Sequence, residues 1–266
     1  MKKKWGPKHR LKTVQTRFFI MAETSEQLRE EAVKHFNECL DLIRSGKLEK
    51  ALESLQKAEE AACEAHTDVI LLHILKLRGQ ILESLGRLEE ALEIFTFALK
   101  TNEKFLEKDP ENELFLDILE IDLNNIGNLG NKFRETGNFQ FSKRSYEIGL
   151  RICQKRLELQ PENDFCRTYA GNTLNNVGEL LAEKGQTEEA KENYEKALEV
   201  YEKLLKDYPG DFEHISDKVM TLQNLGILFS EKGQKKEARE NFKKALEIME
   251  SLSKSYPENR KIKEEI

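Results

Sequence analysis

Two stretches of this chain repeat each other without a gap. GQTEEAKENYEKALEVYEKLLKDYP occupies residues 185–209 and GQKKEARENFKKALEIMESLSKSYP occupies 233–257, an offset of 48. Repetition at a fixed period restricts a chain to architectures in which one supersecondary unit stacks on the next. GRLEEALEIFTFALKTNEKFLEKDP at 86–110 fits the same template, and GNFQFSKRSYEIGLRICQKRLELQP at 137–161 fits more loosely. GKLEKALESLQKAEEAACEA at 46–65 fits as well but lacks the closing proline.

The anchors of this template have a physical meaning. Each unit opens on a glycine: Gly46, Gly86, Gly137, Gly185 and Gly233. Five residues on stands a small residue (Ala51, Ala91, Ser142, Ala190, Ala238), and four further a bulky one (Leu55, Phe95, Tyr146, Tyr194, Phe242). Three further the chain is small again, at Ala58, Ala98, Gly149, Ala197 and Ala245. Positions i, i+4 and i+7 form one helix face, and its small members let a neighbouring helix approach closely. The glycine supplies the tight turn ahead of that helix.

Upstream of each glycine a second apolar periodicity predicts a first helix, over roughly 28–44, 68–84, 112–135, 164–183 and 212–231. Pro110, Pro161, Pro209 and Pro257 mark the hand-over between pairs, since proline suits a first helical turn and not an interior. The expectation is an all-α fold, an α-solenoid of about five helix-turn-helix repeats. Its units lie at about 26–66, 67–109, 110–160, 161–208 and 209–256, with a partial helix at 257–266.

The succession of Gly, Ala, aromatic, Ala and Pro resembles the tetratricopeptide repeat, over about residues 26–257. The resemblance implies a right-handed superhelix whose first helices line a concave surface and hold an extended peptide or a partner helix. The usual unit is about 34 residues, whereas equivalent glycines here lie 40, 51, 48 and 48 apart. The second helices should therefore be long, near 20 residues and ~30 Å. In this they are similar to the repeats of kinesin light chains, which likewise carry an Asn-Asn-Leu-Gly type stretch in the first helix.

That stretch is LNNVGELLAEKG at 174–185 and LQNLGILFSEKG at 222–233. Asn and Gly are poor helix formers, with Gly about 0.8–1 kcal/mol worse than Ala, so their recurrence needs a reason. Aligning the opening glycines places Cys39, Gly79, Gly130, Gly178 and Gly226 at a small packing position of the first helix. Two residues earlier stand Asn37, Leu77, Asn128, Asn176 and Asn224, and one earlier still Phe36, Lys76, Gly127, Asn175 and Gln223. In the third unit, LNNIGNLGNKF offers two registers, ending at Gly127 or at Gly130 and placing Asn125 or Asn128 in the series.

An amide offers both a donor and an acceptor. Repeated at one height on successive helices, it can pair with the backbone of an extended ligand. On that basis Asn175 and Asn176 face the groove, and the candidate partner-binding residues are Asn37, Lys76, Gln80, Asn128, Asn131, Arg134, Asn172, Asn175, Asn176, Glu179, Gln223 and Asn224. The structural alternative is that each Asn bonds a neighbouring helix and only fixes the stacking. Lys76, Arg134 and Arg44 are the candidate cations, spread over separate units, while Glu83, Glu135, Glu179, Glu183 and Glu231 take similar positions. The family's paired-cation grip on a C-terminal carboxylate does not fit this pattern. A neutral-to-basic peptide or an amphipathic helix does.

Charge supports that direction. Residues 1–20 carry seven cations and no acid, and since the whole chain has a net charge of −6, the remainder carries −13. An acidic body argues against general nucleic-acid binding. The basic leader, about 1–21, reads as a disordered extension, and Met21 before AETSEQ resembles a natural start. An arm touching nucleic acid or anionic lipid is the alternative. Cys39, Cys63, Cys153 and Cys166 show no C-x-x-C spacing and read as buried small hydrophobes in a reducing compartment. No nucleophile elbow, phosphate loop or metal-binding spacing is present in the sequence. The expectation is a cytoplasmic protein scaffold, not an enzyme, with no cofactor and no membrane span, whose partner is a protein or peptide. The rival is self-association through exposed solenoid ends.

Overall fold

The structure is a computed structural model that describes the backbone of residues 7–255 and the side chains of 25–252. The expected partial helix at 257–266 and the side chains of the basic leader lie outside the described residues. Those residues form ten α-helices and no strand: α1 (Pro7–Arg44), α2 (Leu48–Glu64), α3 (Asp68–Ser84), α4 (Leu88–Leu106), α5 (Glu113–Glu135), α6 (Phe139–Leu159), α7 (Asp164–Glu183), α8 (Thr187–Asp207), α9 (Phe212–Glu231) and α10 (Lys235–Ser255). The odd-numbered helices are the first members of five hairpins, and the class is an all-α repeat solenoid. The second helices run 17, 19, 21, 21 and 21 residues, so the later ones reach about 30 Å.

Each hairpin turn is made the same way. Gly185 and Gly233 sit at φ +72° and +70°, a left-handed conformation that costs an L side chain energy and glycine little. Around Gly185 its own N–H reaches Ala182 O at 2.8 Å and the Gln186 N–H reaches Leu181 O at 2.9 Å. This crossed pair of bonds satisfies carbonyls that a helix end otherwise leaves without donors. Pro161 and Pro209 stand outside the helices, two residues ahead of the N-caps Asn163 and Asp211. The cap side chains accept from Cys166 N at 2.8 Å and His214 N at 2.9 Å, and caps of this kind contribute about 1 kcal/mol each.

The chain divides into two compact units, Met1–Asp122 and Leu123–Ile266, with the boundary inside α5. In the first, α1 pairs with α2, α3 pairs with α4, and α2 lies against α3. Its core joins Ala32 and Cys39 of α1, Ala51, Leu55 and Ala58 of α2, and Ile74 and Ile81 of α3. In the second unit α7 pairs with α8 and α9 with α10, while α6 packs on α7 and α8 on α9. Ala190 and Tyr194 of α8 meet Leu225 and Leu228 of α9 in one cluster.

The alternation of small and bulky anchors is a packing device. A β-carbon placed on Gly178 would stand 2.6 Å from Cε1 of Tyr194, and one on Gly226 would stand 2.6 Å from Cε1 of Phe242. Gly79 meets Phe95 and Gly130 meets Tyr146 in the same manner. This decides the third register: Gly130 carries the aromatic ring, whereas a β-carbon on Gly127 would make ordinary contact with the Tyr169 hydroxyl at 3.4 Å. Asn128 therefore belongs to the asparagine series and Asn125 does not. Cys39, Cys153 and Cys166 are buried, but Cys63 is exposed, contrary to expectation. It lies in the last turn of α2, beyond the buried run that ends at Ala62.

Candidate functional site

The first helices α5, α7 and α9 of the second unit carry most of the candidate residues. Helix α7 touches both α8 and α9, so equivalent positions on successive first helices come within hydrogen-bond reach. Asn131 Oδ1 accepts from the Tyr146 hydroxyl at 2.5 Å and from Asn176 Nδ2 at 3.3 Å. Asn175 Oδ1 accepts from Asn224 Nδ2 at 3.1 Å and lies 3.1 Å from the Thr221 hydroxyl. Asn172 Oδ1 accepts from the Tyr201 hydroxyl at 2.7 Å.

Glu179 is the hub. Its carboxylate accepts from Asn175 Nδ2 at 2.9 Å and Asn224 Nδ2 at 2.9 Å, and it pairs with the Arg134 guanidinium. Arg134 also lies 3.4 Å from Glu183. A carboxylate with three donors, two of them from neighbouring repeats, ties α5, α7 and α9 together at one height.

Asn175 departs from the expectation that it faces a ligand. It is buried at 0% exposure and its amide is used by Glu179, Asn224 and Thr221. A polar group at that depth must find partners within the protein, and it has them. Asn176, Asn224, Asn131, Arg134 and Glu179 are half-buried and face one another, while Asn128, Asn172 and Gln223 are exposed. In the first unit Asn37 is exposed, and Lys76 and Gln80 are half-buried. There Leu77 packs against the core and interrupts the amide series. Arg44 pairs with Asp41 at 2.9 Å on the surface.

A cavity of about 490 Å³ opens on the second unit's first-helix face. Arg134, Glu179, Glu183, Tyr194, Ile227 and Glu231 line it, along with Asn224. Three carboxylates against one guanidinium leave it net negative. Ile227 is 51% exposed and follows Gly226 directly, at the position held by Gln80, Asn131 and Glu179 in earlier repeats. Tyr194 escaped the candidate residues because its spacing identified it as a packing residue, which it also is. Burial raises the pKa of its phenol and the nearby Glu179 carboxylate raises it further, so it stays protonated. A larger cavity, about 900 Å³, opens between α8 and α10 over Leu222, Leu225 and Phe229 of α9, and it contains none of the candidate residues.

Among the described residues no helix is long and apolar enough to cross a membrane. No group of three or more His, Cys, Asp or Glu among them could hold a metal ion.

Residues 73–105 and 169–251 each match a family model described as tetratricopeptide repeat. Among solved structures, BtubC (BKLC) from P. vanneervenii is 17% identical over 88% of this chain and 92% of that one, with a TM-score of 0.51. A likeness at that identity establishes the fold alone. MamA from Desulfovibrio magneticus RS-1 is 19% identical over 83% of this chain and 96% of its own, at a TM-score of 0.44. The TPR-like repeats of a Podosopora anserina putative kinesin light chain are 17% identical over 84% and 95%, at 0.48. No curated protein sequence matches the chain.

Proposed function

We propose that this chain is a partner-binding protein of the tetratricopeptide repeat kind, a reading supported by the family matches over residues 73–105 and 169–251. Such repeats are general protein-interaction scaffolds. The finer assignment is that the first-helix face of the second unit holds a neutral-to-basic peptide or an amphipathic helix. The observation that carries it is the cavity there, with its net negative lining and the exposed Ile227. The hydrogen-bonded Asn131, Asn172, Asn175, Asn176 and Asn224 form the frame of this face, and exposed Asn128 and Gln223 provide its free amides. A rigid frame lowers the ordering cost of binding, and free amides meet a peptide backbone without demanding one sequence.

Selection from a displayed random-peptide library tests this. Basic peptides with apolar residues should be enriched, and their affinity should fall about tenfold or more, roughly 1.4 kcal/mol, in Asn128→Ala/Gln223→Ala, which removes the amides without adding charge. Unchanged affinity in that variant, with unchanged thermal stability, removes the face from consideration.

Self-association has its own supporting observation. On α10, Phe242 and Leu246 lie together and are exposed at 41% and 49%, whereas Tyr194 and Tyr146, at the position of Phe242, are buried. An apolar face of this kind favours a stacked helix. Light scattering over a concentration series decides, since a constant monomer mass excludes it.

A further inference from the structure

The acidic cavity on the first-helix face holds an unused polar group. Tyr146 and Tyr201 each donate a hydroxyl proton to an asparagine, Asn131 and Asn172 respectively. Tyr194 is just as buried, at 2% exposure, yet its hydroxyl has no hydrogen-bond partner among the described residues. The reason lies one residue after the packing glycine. Tyr146 finds Asn131 next to Gly130, whereas Tyr194 finds Glu179 next to Gly178, and Glu179 is already occupied by Arg134, Asn175 and Asn224. The Tyr194 hydroxyl is left to line the cavity. The hydroxyl is thus the polar end of an otherwise buried side chain presented to the cavity, which makes it a natural contact for a ligand.

The charges say which ligand. Arg134 is committed to Glu179 and lies only loosely, at 3.4 Å, from a Glu183 carboxylate that is 46% exposed. Glu231 lines the same cavity and has no ion pair among the described residues. The site therefore has two carboxylates with spare acceptor capacity, a phenol oxygen that can accept, and an apolar wall at Ile227. An ammonium is a compact point charge, whereas a guanidinium spreads five donors over a plane and carries its charge on an apolar stem.

We propose that Glu183, Glu231 and Tyr194 form a subsite for the arginine side chain of a partner peptide, with Ile227 against its aliphatic stem. This rests on the first-helix face being the partner-binding surface. It adds the residue that is anchored there and the three side chains that anchor it.

The probe is Nα-acetyl-arginine methylamide, titrated into the full chain with ring-labelled tyrosine and followed by NMR. Tyr194→Phe identifies the Tyr194 signal. The expected result is a saturable shift of that signal with the arginine probe. The matching citrulline probe, which has the same shape without the charge, should give none. In Glu183→Gln/Glu231→Gln the apparent affinity should fall at least tenfold while the Tyr146 and Tyr201 signals stay in place, showing that the fold is intact. The proposal is overturned by no saturable shift, by equal binding of citrulline or of the lysine analogue, or by undiminished binding to the double variant. Its failure is distinct from that of the wider reading. Library peptides that bind and respond to Asn128→Ala/Gln223→Ala while the arginine probe does not would refute only the subsite. Arginine saturation without any captured peptide would refute only the groove.

Discussion

Asn224 of α9 donates to Asn175 of α7 at 3.1 Å, and Asn175 is fully buried. The poorest helix formers in the stretch LNNVGELLAEKG are thus structural: one repeat recognises the next through a side-chain amide. Asn175→Ala removes an acceptor from Asn224 and a donor from Glu179 and leaves buried polar groups short of partners. It should destabilise the second unit by about 1–3 kcal/mol. Asn128→Ala, at an exposed position of the same series, should stay within about 0.5 kcal/mol. Urea unfolding followed by circular dichroism compares the two, and equal midpoints would mean that the amide bond carries no stability.

The packing glycines allow a second comparison. Alanine is the better helix former by about 1 kcal/mol, but at Gly178 its methyl would meet the Tyr194 ring, which is 2% exposed and held by its cluster. Overpacking typically costs about 1–3 kcal/mol, so Gly178→Ala should be destabilising. At Gly226 the equivalent ring, Phe242, is 41% exposed and can swing away. There the propensity gain should dominate, leaving Gly226→Ala neutral or stabilising. The same loss at both sites in urea titrations would show that the rings give way equally.

Why the hairpins were legible and the network was not follows from the range of the interactions. Gly185, Tyr194 and Ala190 act within one turn or one hairpin, so their spacing in the sequence is their spacing in the fold. The burial of Asn175 depends on Thr221 and Asn224, one repeat away, and nothing in LNNVGELLAEKG indicates which of two adjacent asparagines will be covered. The third register stayed open for the same reason. Gly127 and Gly130 are identical in type, and only the ring of Tyr146 distinguishes them. Tyr194 was legible as a packing residue, but its idle hydroxyl was not, because that depends on how fully Glu179 is already bonded.

Helix α2 ends without a glycine. His66 takes the left-handed position at φ +52°, with its N–H on Cys63 O at 3.2 Å and the Thr67 N–H on Ala62 O at 3.1 Å. A side chain there costs of order 1 kcal/mol that glycine avoids. His66→Gly should therefore raise the melting temperature of the chain by about 2–4 °C. A lower melting temperature would show that the extra freedom of glycine in the unfolded chain outweighs the relieved backbone.

Asp122 gives the chain a pH dependence of defined sign. Neither of its carboxylate oxygens has a hydrogen-bond partner among the described residues. Burial raises its pKa from 3.8 to about 7, with the Lys76 charge pulling the other way. The pKa of Asp217 moves in the same sense, to about 6, again chiefly through burial. A carboxyl whose folded pKa lies above its unfolded one binds its proton more tightly when folded. The stabilisation is complete below about pH 4 and is lost as the pH rises through 6 and 7. For Asp122 alone the loss is at most about 4 kcal/mol, because a tenfold difference in proton affinity between the folded and unfolded chain corresponds to about 1.36 kcal/mol. Asp122→Asn keeps the shape without the ionisation. It should be more stable than the parent at pH 7.5 and about equal to it at pH 4.5. Parallel pH profiles of the urea midpoint for parent and variant would show that folding does not shift the ionisation of Asp122.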